Sequence, residues 1–231
     1  MERSEKFKKI VFLMHSLDKE MEILKEGLKE LHLPVSEMVL DKFRIYLEKL
    51  YEYRGRLHLL SHKDYTRITL KHFLPSLMVL PYLNQPQNGC DIGAGAGFPS
   101  IPVKILRPEI DFVLFESVRK KAKFLQELIT SLSLKGIEVV AQRAEKYKEK
   151  KFDLILIRAA GRIRDLLNTV DGLLAPTGRA FFYKKAQIDE EIKQAEARLR
   201  KKNFRIKVEK VLTPVERIPL SLVMLYRQCS P

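Results

Sequence analysis

The segment Asp91-Ile92-Gly93-Ala94-Gly95-Ala96-Gly97-Phe98-Pro99 sets three glycines at alternate positions behind an acid. A glycine turn leaving one strand, with an acid closing the next, is how a doubly wound α/β sheet holds an adenosine-containing ligand. Glu116 is that second acid, nineteen positions after Gly97, at the end of the apolar run Phe112-Val113-Leu114-Phe115. A dinucleotide fingerprint, Gly-x-Gly-x-x-Gly, needs a small residue at position 98, where helix and strand pack closely. Phe98 occupies it. The loop is therefore a poor cradle for a pyrophosphate, which disfavours a nicotinamide dehydrogenase. It fits S-adenosylmethionine, which has no phosphate to bind.

Ligands of such a sheet sit beyond the carboxyl ends of the strands, where strand order reverses. The backbone at Gly93, Gly95 and Gly97 can approach the methionine part of the cofactor, and Asp91 is a candidate anchor for its amine. Glu116 is placed to accept hydrogen bonds from ribose hydroxyls; at this spacing that role outweighs a helix cap. Arg143-Ala144-Glu145 either meets the adenine edge, through a backbone amide and Glu145, or is a solvated helix start. Arg158, leaving the apolar run Leu154–Ile157 ahead of Ala159-Ala160, needs a ligand or an internal salt bridge, and both remain open.

Absent residue types narrow the reaction. The Asn or Asp-Pro-Pro-aromatic signature of adenine-amino methylation is replaced by Arg158-Ala159-Ala160. Cytosine C5 methylation needs a cysteine nucleophile. Cys90 lies inside a predicted strand, as a small apolar residue, and Cys229 lies in the tail. No His-Asp or Ser-His pairing stands out and no metal spacing occurs, so neither a general base nor a metal site is expected. A nucleophile without a proton, such as guanine N7, suits these residues, since alignment with the methyl donor can supply most of the rate.

The elements that must position these groups follow from periodicity. From Asn88 on, short apolar runs alternate with helical stretches: strands are expected at Gly89–Ile92, Phe112–Glu116, Ile137–Ala141, Phe152–Ile157 and Arg179–Tyr183, with a helix over Val118–Leu132. After a helix at Ile188–Lys201, the runs Phe204–Val211 and Leu220–Arg227 read as an antiparallel pair at the sheet edge. The expected fold is α/β: a seven-stranded, mostly parallel sheet of the class I, Rossmann-like S-adenosylmethionine-dependent methyltransferases. A helical N-terminal extension precedes it, dividing the chain into a helical cap, 1–83, and a methyltransferase domain, 84–231. In the cap, Phe7, Ile10, Val11, Met14, Met21, Leu24, Leu28 and Leu31 recur at helical spacing. Pro34 breaks the pattern, Ser36 is an N-cap candidate for the next helix, and another helix is expected over Ile68–Leu80.

Composition agrees with one core plus an appendage. The net charge of +14 favours a polyanionic partner, nucleic acid ahead of an anionic membrane. The basic, apolar start superficially resembles a signal peptide but is short and has no small-residue cleavage site. Two widely separated cysteines suit a reducing compartment, and no run reaches the roughly 20 apolar residues that span a bilayer. A cytoplasmic protein without a membrane partner is expected.

The loop Asp91–Pro102 with its paired prolines, the segment Glu116-Ser117-Val118-Arg119-Lys120-Lys121-Ala122-Lys123-Phe124-Leu125, the pairs Arg143-Ala144-Glu145 and Arg158-Ala159, and Lys71-His72-Phe73-Leu74-Pro75-Ser76 resemble one family. It is RsmG, also called GidB, the bacterial 16S ribosomal RNA guanine-N7 methyltransferases. The resemblance runs from about residue 35 to the C-terminus. It implies S-adenosylmethionine contacts at Gly93, Phe98, Ala144, Glu145 and Arg158. It also implies a 16S ribosomal RNA or small-subunit assembly intermediate as substrate, with Lys184, His72 and Arg143 on the RNA side, in a monomer. The chain departs from the family pattern at Tyr53, Arg54, His58, Leu59, Leu60, Pro75, Ser100 and Lys185. Two other functions are compatible with the residues: a methyltransferase of this fold with another RNA target, and a cofactor- and RNA-binding protein without turnover.

Overall fold

The computed structural model describes residues 2–83 and 85–227, with side chains from His15 onward. Phe7, Ile10, Val11 and Met14 lie outside the described side chains, and Cys229 lies outside the described residues. Helix α1 (Glu2–Glu30) buries Leu17, Met21, Leu24 and Leu28 at three- and four-residue spacing. His32 turns the chain out of the helix at φ 53°, and Pro34 forbids its resumption. Helix α2 (Glu37–Tyr53) begins where expected, with Ser36 accepting the Val39 N–H at 3.4 Å. Its buried stripe is Phe43, Tyr46, Leu47 and Leu50.

The helix expected over Ile68–Leu80 is broken into a π-helical turn, Thr69–Phe73, helix α3 (Leu74–Leu77) and a 3₁₀ turn, Leu80–Tyr82. Pro75 is the reason. It has no N–H to bond the Lys71 carbonyl four residues back, so a regular helix is interrupted there. The wider turn shifts the pattern, and the Leu74 N–H bonds Thr69 O five residues back. Glu20 fastens α1 to this turn: its carboxylate, 2% exposed, accepts the N–H groups of Ile68 at 3.1 Å and Thr69 at 2.7 Å. A carboxylate on the first free N–H groups of a helical turn satisfies both the hydrogen bonds and the dipole.

The remaining chain alternates as expected: β1 (Asn88–Ile92), α4 (Ser100–Leu106), β2 (Asp111–Phe115), α5 (Arg119–Ser131), β3 (Ile137–Val140), β4 (Phe152–Arg158), α6 (Ile163–Leu173), β5 (Leu174–Lys185), α7 (Asp189–Lys201), β6 (Phe204–Leu212) and β7 (Pro219–Arg227). They form one sheet in the order β3-β2-β1-β4-β5-β7-β6, with β7 antiparallel to both of its neighbours. The terminal pair is therefore the sheet edge read from the sequence, and order reverses between β1 and β4. Each buried strand feeds both faces: in β2, Phe112 and Leu114 point one way and Val113 and Phe115 the other.

One face is covered by α6 and α7, through Ile163, Leu167, Val170, Ala195 and Leu199. The other is shared. Helices α4 and α5 cover β1 to β3, while Met78 and Val79, just after α3, lie on Leu154, Leu156, Phe181 and Tyr183. The apolar cluster is continuous from Leu24 and Phe43 in the N-terminal helices to Ile101, Leu114 and Phe124 in the α/β part. The helical segment thus closes half of a sheet face that would otherwise be exposed. Among the described residues, no helix is long and apolar enough to cross a membrane.

Candidate active site

The loops leaving β1 and β4 meet at the point where strand order reverses. A Cβ added at Gly93 would lie 3.0 Å from the Cβ of Ala160, and Gly93 itself has φ +75°, so bulk is excluded on two grounds. Opposite it, Ala159 is held in the left-handed region at φ 58°, a conformation that costs energy for a residue with a Cβ. A Cβ at Gly95 would find only the Gly93 carbonyl, 3.8 Å away, so the loop is open on that side.

Neighbouring elements hold the glycine loop from several directions. The N–H groups of Gly93 and Ala94 both donate to Phe115 O, at 2.9 and 3.0 Å. Glu116, 6% exposed, accepts the Gly95 N–H on one oxygen at 2.9 Å and the Val118 N–H on the other at 2.8 Å. It therefore joins the loop to the start of α5, and the unused lone pairs of its carboxylate remain available for ribose hydroxyls. From the helical segment, Tyr46 Oη donates to Ala96 O at 2.6 Å.

Beneath the loop, Asp91 is 0% exposed. One of its oxygens accepts the Ser100 N–H at 3.3 Å; Oδ1 has no partner, and neither has Ser100 Oγ. Burial pushes the Asp91 carboxyl up to about 7, against the opposing effect of Ser100. Asp91 thus reaches the crevice through its charge and through the backbone it braces. Cys90 beside it is also wholly buried, and burial pushes its thiol up, so it serves as a small apolar residue.

This geometry fits S-adenosylmethionine. The loop is open over Gly95, and beneath it lies a buried carboxylate with an unpartnered oxygen, whose charge would suit a cationic ligand. The sequence profile of the family described as rRNA small subunit methyltransferase G matches residues 39–217. A "Ribosomal RNA small subunit methyltransferase G" from Dehalococcoides mccartyi strain CBDB1 is 35% identical over 195 residues, spanning 81% of this chain and 83% of the relative. The chain belongs to this family. It is an S-adenosylmethionine-dependent methyltransferase of small-subunit ribosomal RNA. Among solved structures, a methyltransferase from Pyrococcus furiosus superposes with a TM-score of 0.55 at 14% identity, over 81% of this chain and 99% of that one. M. jannaschii TYW2 in complex with AdoMet superposes with a TM-score of 0.52 at 14% identity, over 67% and 73%. These likenesses establish the class I fold.

In this methyltransferase the Phe98 ring is packed into the helical segment. It stacks on Tyr46, with centroids 5.3 Å apart, and on His72, at 4.8 Å. His72 is mostly buried, which, with the Arg158 guanidinium nearby, draws its pKa down to about 3, so the imidazole is neutral. Its Nε2 lies 3.5 Å from Asp64 and makes no hydrogen bond.

Arg158 does not form the internal salt bridge considered from the sequence: among the described residues it has no ion-pair partner. Its guanidinium donates to Lys71 O, to His72 O at 3.3 Å and to Ser76 Oγ at 3.4 Å. The Lys71 carbonyl is the one Pro75 leaves without its helical partner. Arg158 thus completes the broken helix and ties it to the end of β4, with its guanidinium 5.9 Å from the Phe98 ring centre.

Lys184 is turned inward. Its Nζ lies 2.7 Å from Glu191, donates to Gly161 O at 2.8 Å, and its side chain is only 16% exposed. Glu191 in turn accepts the Ile163 N–H at 2.7 Å, so the pair secures the loop between β4 and α6. Ala144 is buried at the start of the 3₁₀ turn that follows β3, while Glu145 and Arg143 are exposed beside it, 3.9 Å apart. Sequence reasoning missed Tyr46, whose place in the helix is that of an ordinary apolar-face residue; Ala159 and Ser76 lay in segments singled out from the sequence, without a role of their own.

Proposed function

We propose that this methyltransferase modifies N7 of a guanine in 16S ribosomal RNA, acting in the cytoplasm as a monomer on RNA not yet fully covered by ribosomal proteins. The observation that carries the choice of atom is the state of the titratable groups around the crevice. His72, drawn down to about 3, is a feeble proton acceptor, and Asp91 is enclosed beneath the loop. Guanine N7 offers an in-plane lone pair and carries no proton, so its attack needs no base.

S-adenosylmethionine supplies a methyl group on a cationic sulfur, already activated for transfer. The backbone of Gly93 to Gly97 would hold the methionine part and Glu116 the ribose, with Ala144 and Glu145 at the adenine and the Asp91 charge below. Tyr46, Glu116 and Arg158 keep this wall rigid, which is where orientation contributes to rate. The test is transfer of a labelled methyl group to deproteinised 16S ribosomal RNA, followed by digestion to nucleosides. Label in 7-methylguanosine is the expected result; label in any other nucleoside refutes the N7 assignment.

A further inference from the structure

The connection from α2 to the π-helical turn encloses a pocket of about 310 Å³ outside the glycine-loop crevice, lined by Arg54, Arg56, His58, His62 and Tyr65 among others, with no carboxylate in its wall. Gly55 turns the chain at φ +83°, with nothing within 4 Å of an added Cβ, and so holds Arg54 and Arg56 on an open rim. Among the described residues neither arginine makes an ion pair. Arg54 lies over the Tyr65 ring, 5.0 Å from its centre. Tyr65 is 3% exposed, and its hydroxyl is buried without a hydrogen-bond partner. A buried, unpaired hydroxyl on a ring covered by one unpaired guanidinium group, with a second lining the same pocket, is an arrangement that an anion's oxygens would satisfy.

We infer that this pocket binds a backbone phosphate of the substrate RNA and so positions the strand beside the crevice, an assignment that rests on the RNA-methyltransferase function above. A short relay of contacts links the pocket to the glycine loop: Asp64, next to Tyr65 in the chain, is 3.5 Å from His72, which stacks on Phe98. A phosphodiester is the chemistry that fits, because guanidinium groups take phosphate oxygens in pairs and a tyrosine hydroxyl can add a third donor.

The test uses the full-length protein, deproteinised 16S ribosomal RNA and labelled S-adenosylmethionine. The Arg54→Ala/Arg56→Ala variant should raise KM for RNA about tenfold with kcat nearly unchanged. Its RNA affinity should depend less on salt, the logarithmic slope falling by about 0.7 for each phosphate that is no longer neutralised. Arg54→Lys should recover part of the affinity, Tyr65→Phe should weaken binding alone, and cofactor affinity and Tm should match the parent. Lys193→Ala/Lys201→Ala, at two exposed positions of α7, controls for the loss of two charges. RNA affinity and salt slope equal to the parent, or a loss no greater than that of Lys193→Ala/Lys201→Ala, would overturn the pocket. Failure of the parent protein to methylate RNA would instead overturn the function on which it rests.

Discussion

Replacing Asp91 by Asn should make the protein more stable at neutral pH while weakening its grip on the cofactor. The carboxyl is 0% exposed, and burial raises it from 3.8 to about 7. Because the folded value lies above the unfolded one, the fold holds the proton more tightly. The stabilising contribution is therefore complete below about 3.8 and is lost as pH rises through about 7. A displacement of that size amounts to about 4 kcal/mol, of which ~2.5 kcal/mol falls between about pH 5 and about pH 8. Asn is nearly isosteric, its amide oxygen can still accept the Ser100 N–H, and it does not ionise. Urea unfolding of parent and variant at those two pH values, without cofactor, measures the difference, and effects of other titrating groups cancel in the comparison. The variant's advantage should grow by ~2.5 kcal/mol from the lower to the higher pH. In parallel, calorimetric titration with S-adenosylmethionine should show weaker binding, because a negative charge under a cationic ligand has been removed. A stability difference that stays flat with pH would refute the reasoning.

Other substitutions probe the walls of the same site. Gly93→Asp forces a side chain into φ +75° and against Ala160, so cofactor binding should be abolished; parent-like affinity by calorimetry would place the cofactor elsewhere. Tyr46→Phe leaves the Ala96 carbonyl unpaired and should cost about 1–3 kcal/mol in urea unfolding, together with some cofactor affinity. No change in either would mean the hydroxyl does not brace the loop. Arg158→Met strands the Lys71 and His72 carbonyls, so stability should fall by about 2–3 kcal/mol and turnover should decline with it. Lost turnover in a variant of parental stability would show that the arginine serves ligands instead.

Much of the fold was legible because it is written in local patterns. Apolar runs such as Phe112 to Phe115 specify buried strands, Ser36 and Pro34 mark a helix boundary, and the glycine spacing after Asp91 marks the loop that a parallel sheet presents at its carboxyl edge. Strand ends agreed to within a residue or two, except that β5 extends from Leu174, well before the apolar stretch beginning at Arg179. Leu174 is buried there, but Ala175-Pro176-Thr177-Gly178 reads as a turn and interrupts any apolar run that would mark a strand. The family followed from the same local segments.

What joins those segments was decided only in three dimensions. Arg158 bonds carbonyls more than eighty positions away, and Tyr46 reaches Ala96 across fifty, so neither pairing leaves a periodic trace near either residue. Lys184, which the family resemblance set on the RNA side, is turned inward onto Glu191 and Gly161. Pro75, inside the helix expected over Ile68–Leu80, breaks it, and the carbonyl it frees is taken by an arginine from β4. Local sequence determines which backbone conformations are favourable; which distant group satisfies a buried donor, acceptor or charge depends on how the elements pack, and here that packing sets the N-terminal helices against the glycine loop.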